Sequence, residues 1–247
     1  MVWYIVSALV AALITIVAYA YNFFYKLGYG LSNETSVWAN FSSYVGGILG
    51  PILSFLSLVL LIRSLDLQRA ANNELREQIR KTDLNERHKS FENHLFNMIS
   101  LQSQFLDSFH LYLYHDGQQL KFDGAHAIIK LEFIVCAITE AQVDDSFISE
   151  YIEEIDQLDK IYSSLRSFHI MIKAIDEKLS DANGFNSTLR MEYYKTIINY
   201  TDFSLLRLIM MGAQFMDCYP VDYLKNNKEF KSTIEGLGLS FNLYNRN

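Results

Sequence analysis

The chain has 247 residues, half of them hydrophobic, and a formal net charge of −7 at pH 7. That charge gives no reason to expect broad nucleic-acid binding through a basic surface, and two cysteines, Cys136 and Cys218, are too few for a disulfide framework and form no metal-ligand cluster. Two prolines and eleven glycines favour long helices over a strand-and-turn fold.

The mean hydropathy of +0.06 averages two unlike parts. Val2 to Tyr25 is a charge-free run of 24 residues, and Thr35 to Ile62 is a second of 28. A bilayer core takes roughly 20 apolar residues of helix, so each run is long enough to span. The nine residues Lys26 to Glu34 are enough for a tight turn outside the bilayer. The prediction is a transmembrane hairpin, spans about 2–25 and 38–62, within a first region 1–63. Trp3 and Tyr4 mark one interface; Tyr21, Phe23, Phe24 and Tyr25 mark the other, about 33 Å away along a helix. Ala18-Tyr19-Ala20 mimics a signal-peptide cleavage site, but no basic segment precedes it and the apolar stretch exceeds a signal-peptide core. Just beyond the second run stand Arg63, Arg69, Arg76, Arg80 and Lys81, which by the positive-inside rule puts that side and both termini in the cytoplasm.

The second span is not a plain apolar rod. Gly46, Gly50 and Ser54 repeat every four residues, and Ser43 and Gly47 form another such pair. Small residues at that spacing let helix backbones approach closely in lipid. The first span offers Ser7, Ala11 and Thr15 at matching spacing. The simpler expectation is that these strips pack the hairpin against itself. The sharper one is that the glycine strip joins several chains, with Asn40, Ser42, Ser43 and Ser54 along a polar path. Pro51 removes a backbone hydrogen bond, predicting a kink or the start of the regular helix near Gly47. Neither span holds a charge, so the usual proton relay or counter-ion of a transporter is missing.

No Gly or Pro occurs between Pro51 and Asp116, so the second helix is expected to continue as a charged stalk over 64–90. Glu77 with Lys81 and Asp83 with Arg87 are acid-first pairs at i, i+4. Leu58, Ile62, Leu65, Asn72, Leu75 and Ile79 make a thin seam broken by polar residues. Spacings of three and four resume at Phe91, Leu95, Met98, Ile99, Phe105, Leu106 and Phe109, where a helical domain, 91–247, begins. A break is expected at His115-Asp116-Gly117. Helices are then predicted over Gly124–Gln142, Ser146–Ser180 and Leu189–Cys218, with a short one near Pro220, a turn at Asn183-Gly184 and a loose tail from Gly236. The fold class is all-α.

Catalytic signals are few. There is no glycine-rich phosphate loop, GxSxG, HExxH or CxxC, so neither enzymatic activity nor a cofactor or metal is expected. His88 and Glu92 are four apart, a spacing common by chance with no third ligand implied. Glu150, Glu153, Glu154, Asp156 and Asp159 read as the wet face of the Ser146–Ser180 helix, opposite Ile148, Ile152, Ile155, Leu158 and Ile161. Both cysteines read as small core residues. The 16 tyrosines and 17 phenylalanines exceed the needs of a small core, and an exposed share suits a partner surface.

The stretch Phe41-Ser-Ser-Tyr-Val-Gly-Gly-Ile-Leu-Gly-Pro-Ile-Leu-Ser-Phe-Leu-Ser resembles the second-span signature of the phage abortive-infection two-transmembrane family. The likeness continues through Gln68, the helix Glu74–Lys89, Phe91-Glu92-Asn93-His94-Leu95-Phe96 and Phe122-Asp123-Gly124, covering about residues 35–125. Where that family often carries an acid before the glycines, this chain has Ser42-Ser43. The resemblance implies a bacterial inner-membrane antiphage effector. Such two-span proteins also accompany retron reverse transcriptases, whose RNA–DNA complex restrains them. The expected partners are therefore the bilayer, other copies through Ser43, Gly46, Gly47, Gly50, Pro51 and Ser54, and a restraining reverse-transcriptase complex. Release would permeabilise the membrane. The alternative is a membrane-anchored helical interaction module without pore activity; a membrane-bound hydrolase lacks a motif.

Overall fold

A computed structural model describes residues 2–26, 28, 33–115 and 117–244. The side chain of Tyr4, most of the expected Lys26–Glu34 turn, Asp116 and residues 245–247 of the tail lie outside the described residues. The fold is all-α with one small hairpin, and the chain divides into two compact units, Met1–Lys81 and Thr82–Asn247.

The first unit holds α1 (Val2–Ala20), a π-helical turn over Tyr21–Lys26, and the first half of α2 (Thr35–Ser108). Two helices are long and apolar enough to cross a membrane, and only 6% and 0% of their most apolar stretches are buried. Water-soluble proteins bury such helices in a core; here the apolar surface is left outside. Regular helix begins at Thr35 and passes through Pro51 without a break, so the expected start near Gly47 is not found. The Thr15 hydroxyl donates to the Ala11 carbonyl at 2.8 Å, satisfying itself inside its own helix.

The second unit begins within α2, whose Leu84 side chain lies against the turn at Gly184. Helix α2 ends at Ser108, short of the expected His115. It gives way to an antiparallel hairpin, β1 (His110–His115) and β2 (Gln118–Asp123), which the sequence reading missed. The cause is visible in His110-Leu-Tyr-Leu-Tyr-His115: alternation turns Leu111 and Leu113 into the core, and Asp-Gly is a strong two-residue turn signal. Gly117 takes φ +76°, a left-handed value that glycine adopts without steric cost.

Five helices expected as three follow, then two more: α3 (Gly124–Glu140), α4 (Asp145–Ile155), α5 (Lys160–Lys178), α6 (Ser187–Tyr200), α7 (Phe203–Phe215), α8 (Tyr219–Asn226) and α9 (Lys228–Gly236). The Ser146–Ser180 helix is divided because Asp156 is not on a wet face. It is buried, and its carboxylate accepts the Ile161 and Tyr162 amides at 2.8 and 2.9 Å, so it opens α5 as a cap. Asp159 adopts the left-handed region at φ +50°, and Leu158, expected inward, is 56% exposed. The Leu189–Cys218 helix is divided in the same way: Asp202 accepts the Ser204 amide at 2.8 Å and starts α7.

The core of this unit centres on α5 and α7, with Leu165, Phe168 and Ile172 packed among Leu208, Ile209 and Met211. Gly212 sets their approach, since an added Cβ would sit 2.8 Å from Leu165 Cδ1. The expected loose tail is packed as far as it is described. Phe241 and Tyr244 are buried, and the Tyr244 hydroxyl donates to Glu132 at 3.0 Å.

Candidate functional site

Helix α2 carries two distinct faces in the first unit. Phe41, Val45, Leu49, Leu56, Val59 and Leu60 are its less exposed residues, and on α1 these are Ala8, Ala11, Ala12, Thr15 and Tyr19. Tyr19 meets Phe41 at 4.7 Å and Tyr44 at 5.4 Å between ring centroids, and stacks on Phe23 at 4.5 Å. This is the intrachain seam. At about 100° per residue, Ser43, Gly47, Gly50, Pro51 and Ser54 fall on the far side of α2, with Gly46 on its flank about a quarter turn from the seam. All six are exposed, and a Cβ added at Gly46, Gly47 or Gly50 meets nothing within 4 Å. The expectation that this strip packs the hairpin against itself is therefore corrected. The α1 half of that expectation fails at Ser7, which is exposed while Ala11 and Thr15 lie in the seam. Asn40 shares the strip's side, and Ser42 lies toward the seam, so the four residues of the expected polar path do not form one line.

The charged stretch after Ile62 is solvated. Arg63 is exposed, and Arg69 stands 3.9 Å from Asp66 with both side chains mostly exposed, a pair worth little. Asp83 pairs with Arg87 at 3.0 Å as expected, whereas Glu77 chooses Arg80 at 3.0 Å over Lys81. That hydrogen bond holds the Glu77 carboxyl below its ordinary value. Leu58, Ile62, Leu65, Leu75 and Ile79 of the thin seam are all exposed.

In the second unit, His88 and Glu92 share a partner in Tyr193. The Tyr193 hydroxyl donates to Glu92 Oε1 at 2.6 Å and lies 2.7 Å from His88 Nε2, which with its proton on Nε2 donates back. Burial, then the Glu92 hydrogen bond, keeps this phenol neutral far above its ordinary titration range. The arrangement fastens α6 to the incoming turn of α2. No group of three His, Cys, Asp or Glu able to hold a metal ion occurs among the described residues.

A cleft of about 620 Å³ opens between the ends of α5, α6, α8 and α9. Its polar centre is Asp176, which the sequence did not single out. The carboxylate accepts the hydroxyl of the fully buried Tyr194, the Tyr223 hydroxyl at 2.5 Å and the Asn227 amide at 2.8 Å. Beside it, Arg190 forks onto Glu229 through two bonds of 2.8 Å and reaches Asp181 at 2.9 Å and the Leu179 carbonyl at 3.0 Å. A carboxylate holding three donors, two of them phenols, is spent on joining helices. Both cysteines are half-buried, and desolvation pushes their thiols up, away from reactive thiolate.

His169 lies behind the cleft, ring against Tyr219 and Tyr223, with Nε2 buried and unpartnered among the described residues. Burial, then Lys173, lowers its pKa below 6.5, opposed in part by Asp176. A lowered imidazole contributes stability that is whole above the unfolded value and is lost as pH falls through the folded one. Thermal denaturation should therefore show the second unit weakening as pH drops below about 6.5. His169→Phe, which keeps the ring packing, should flatten that dependence; an unchanged slope would remove His169 as its source.

Comparison with protein-family models, with curated proteins and with solved structures gives no match for this chain.

Proposed function

We propose that this chain is a bacterial inner-membrane antiphage effector. Its hairpin associates with copies of itself through the Gly46–Gly47–Gly50 strip and permeabilises the membrane once a partner complex releases the second unit. The observation that carries the reading is the position of that strip, outside the intrachain seam of α2, with nothing near the glycines. In lipid the hydrophobic effect does not drive helices together, and close packing of small residues is what replaces it. A strip of this kind turned away from its own hairpin is suited to another copy. The resemblance of residues 35–125 to abortive-infection membrane proteins supports the defence role, and Arg63 and Arg69 support a cytoplasmic second unit.

The direct test is expression without any partner in a bacterial host. Membrane potential should collapse and a membrane-impermeant nucleic-acid dye should enter within the induction period. Cells that keep full potential while the protein is abundant in the membrane fraction would refute pore activity and leave the anchored-module reading.

A further inference from the structure

The hairpin of the second unit leaves one strand edge open in a cleft, and its register tells which backbone groups face outward. The strands pair His110 with Asp123 through His115 with Gln118 without a bulge. One position before them, the Gly124 amide donates to the Phe109 carbonyl at 2.7 Å, so that pair is of the hydrogen-bonded type. Antiparallel pairs alternate. Leu111, Leu113 and His115 therefore bond to β2, while the N–H and C=O groups of His110, Tyr112 and Tyr114 point away from it. Among the described residues no backbone hydrogen bond outside the β1–β2 ladder reaches these three.

The open edge borders a cavity of about 290 Å³, walled by β1 on one side and by the α4–α5 connection from Glu154 to Lys160 on the other. We propose that this cleft takes a short, basic, extended peptide as a third strand beside β1. Outward donors and acceptors two residues apart repeat about every 6.8 Å along β1, the spacing an added strand presents. Tyr112 and Tyr114, 42% and 57% exposed, and Leu158 across the cleft supply apolar contact for its alternate side chains. Charge favours a basic segment: Glu154 and Asp156 line the cleft against the single cation Lys160, whose ammonium lies 5.8 Å over the Phe105 ring, and the neighbouring Glu153 and Asp159 are exposed acids in the same stretch of chain. The same carboxylates disfavour a nucleic-acid backbone, although tyrosines on a strand suit stacked bases. The proposal does not depend on whether the membrane hairpin forms a pore.

The test uses the full chain in lipid nanodiscs and a fluorescein-labelled peptide, Lys-Val-Lys-Val-Thr-Val-Lys. Fluorescence anisotropy should rise and saturate, and amide exchange at Tyr112 and Tyr114 should slow on peptide addition. N-methylating alternate peptide residues, which removes the donors of one edge while keeping charge and side chains, should weaken binding about tenfold or more in one of the two registers. Tyr112→Pro removes an outward N–H but no bond to β2, so it should abolish binding with the helical circular dichroism unchanged. Should that variant misfold, the exchange and N-methyl measurements on the native chain decide alone. The idea is overturned by no saturable binding up to millimolar peptide, by equal binding of both methylated forms, or by an oligothymidylate that binds the cleft in preference to the peptide.

Discussion

Replacing Gly46 and Gly50 together by leucine should return dye entry in expressing cells to the level of cells carrying an empty vector, with the protein still inserted. The expectation is sharp because the substitution is benign inside the chain. An added Cβ at either position meets no neighbour within 4 Å; Gly50 faces away from the seam with α1 and Gly46 lies on its exposed flank. Leucine is also a better helix former than glycine, which stands about 0.8–1 kcal/mol per residue below alanine, and is at home in lipid. What the larger side chains deny is close approach of a second backbone, the interaction small-residue strips provide. Crosslinking through a cysteine placed at Ser54 should fall in parallel with permeabilisation. A control with leucine at Ser7, exposed on α1, should leave both unchanged. If the glycine double variant still depolarises cells, the strip is not the assembly face; if it and the native chain are equally harmless, the hairpin is an anchor.

Asp176→Ala should destabilise the second unit by about 2–4 kcal/mol, the cost of hydrogen-bond donors left unsatisfied rather than of packing lost. Its carboxylate gathers Tyr194 from α6 and Tyr223 and Asn227 from α8 and its end. Tyr194 has no exposed surface, so its hydroxyl has no water to turn to once the acceptor is gone. Burial, then Asp176, holds the Tyr194 phenol far above its ordinary titration range, which keeps it a donor at every working pH. Asp176→Asn retains one acceptor oxygen and should cost less than the alanine. The urea midpoint of the helical signal in detergent reads the difference. An alanine variant within about 0.5 kcal/mol of the native chain would show that solvent entering the adjoining cleft replaces the carboxylate.

The membrane-length helices were legible because their cause is local: an unbroken charge-free run needs no tertiary information to be too apolar for water. The helical periods of Phe91–Phe109 and α3 were legible for the same reason, since each states its buried face by spacing alone. Breaks were harder. Asp156 and Asp202 look like surface acids in a helical pattern, and they became caps because the amides they accept belong to the next helix. The β1–β2 hairpin was readable from its alternation and its Asp-Gly turn, and was missed because a longer helical period ran up to it.

Sequence by itself established that this is an all-α chain with two membrane-length helices, a charged continuation and a polar helical region, because hydropathy and period act residue by residue. Only the tertiary structure decided which side of α2 the hairpin uses, that His88 and Glu92 meet on Tyr193, that Asp176 ties helices together, and that β1 keeps an open edge. Each of those depends on partners tens of residues away, and a one-dimensional pattern records what a residue prefers to avoid, not which distant group it finds.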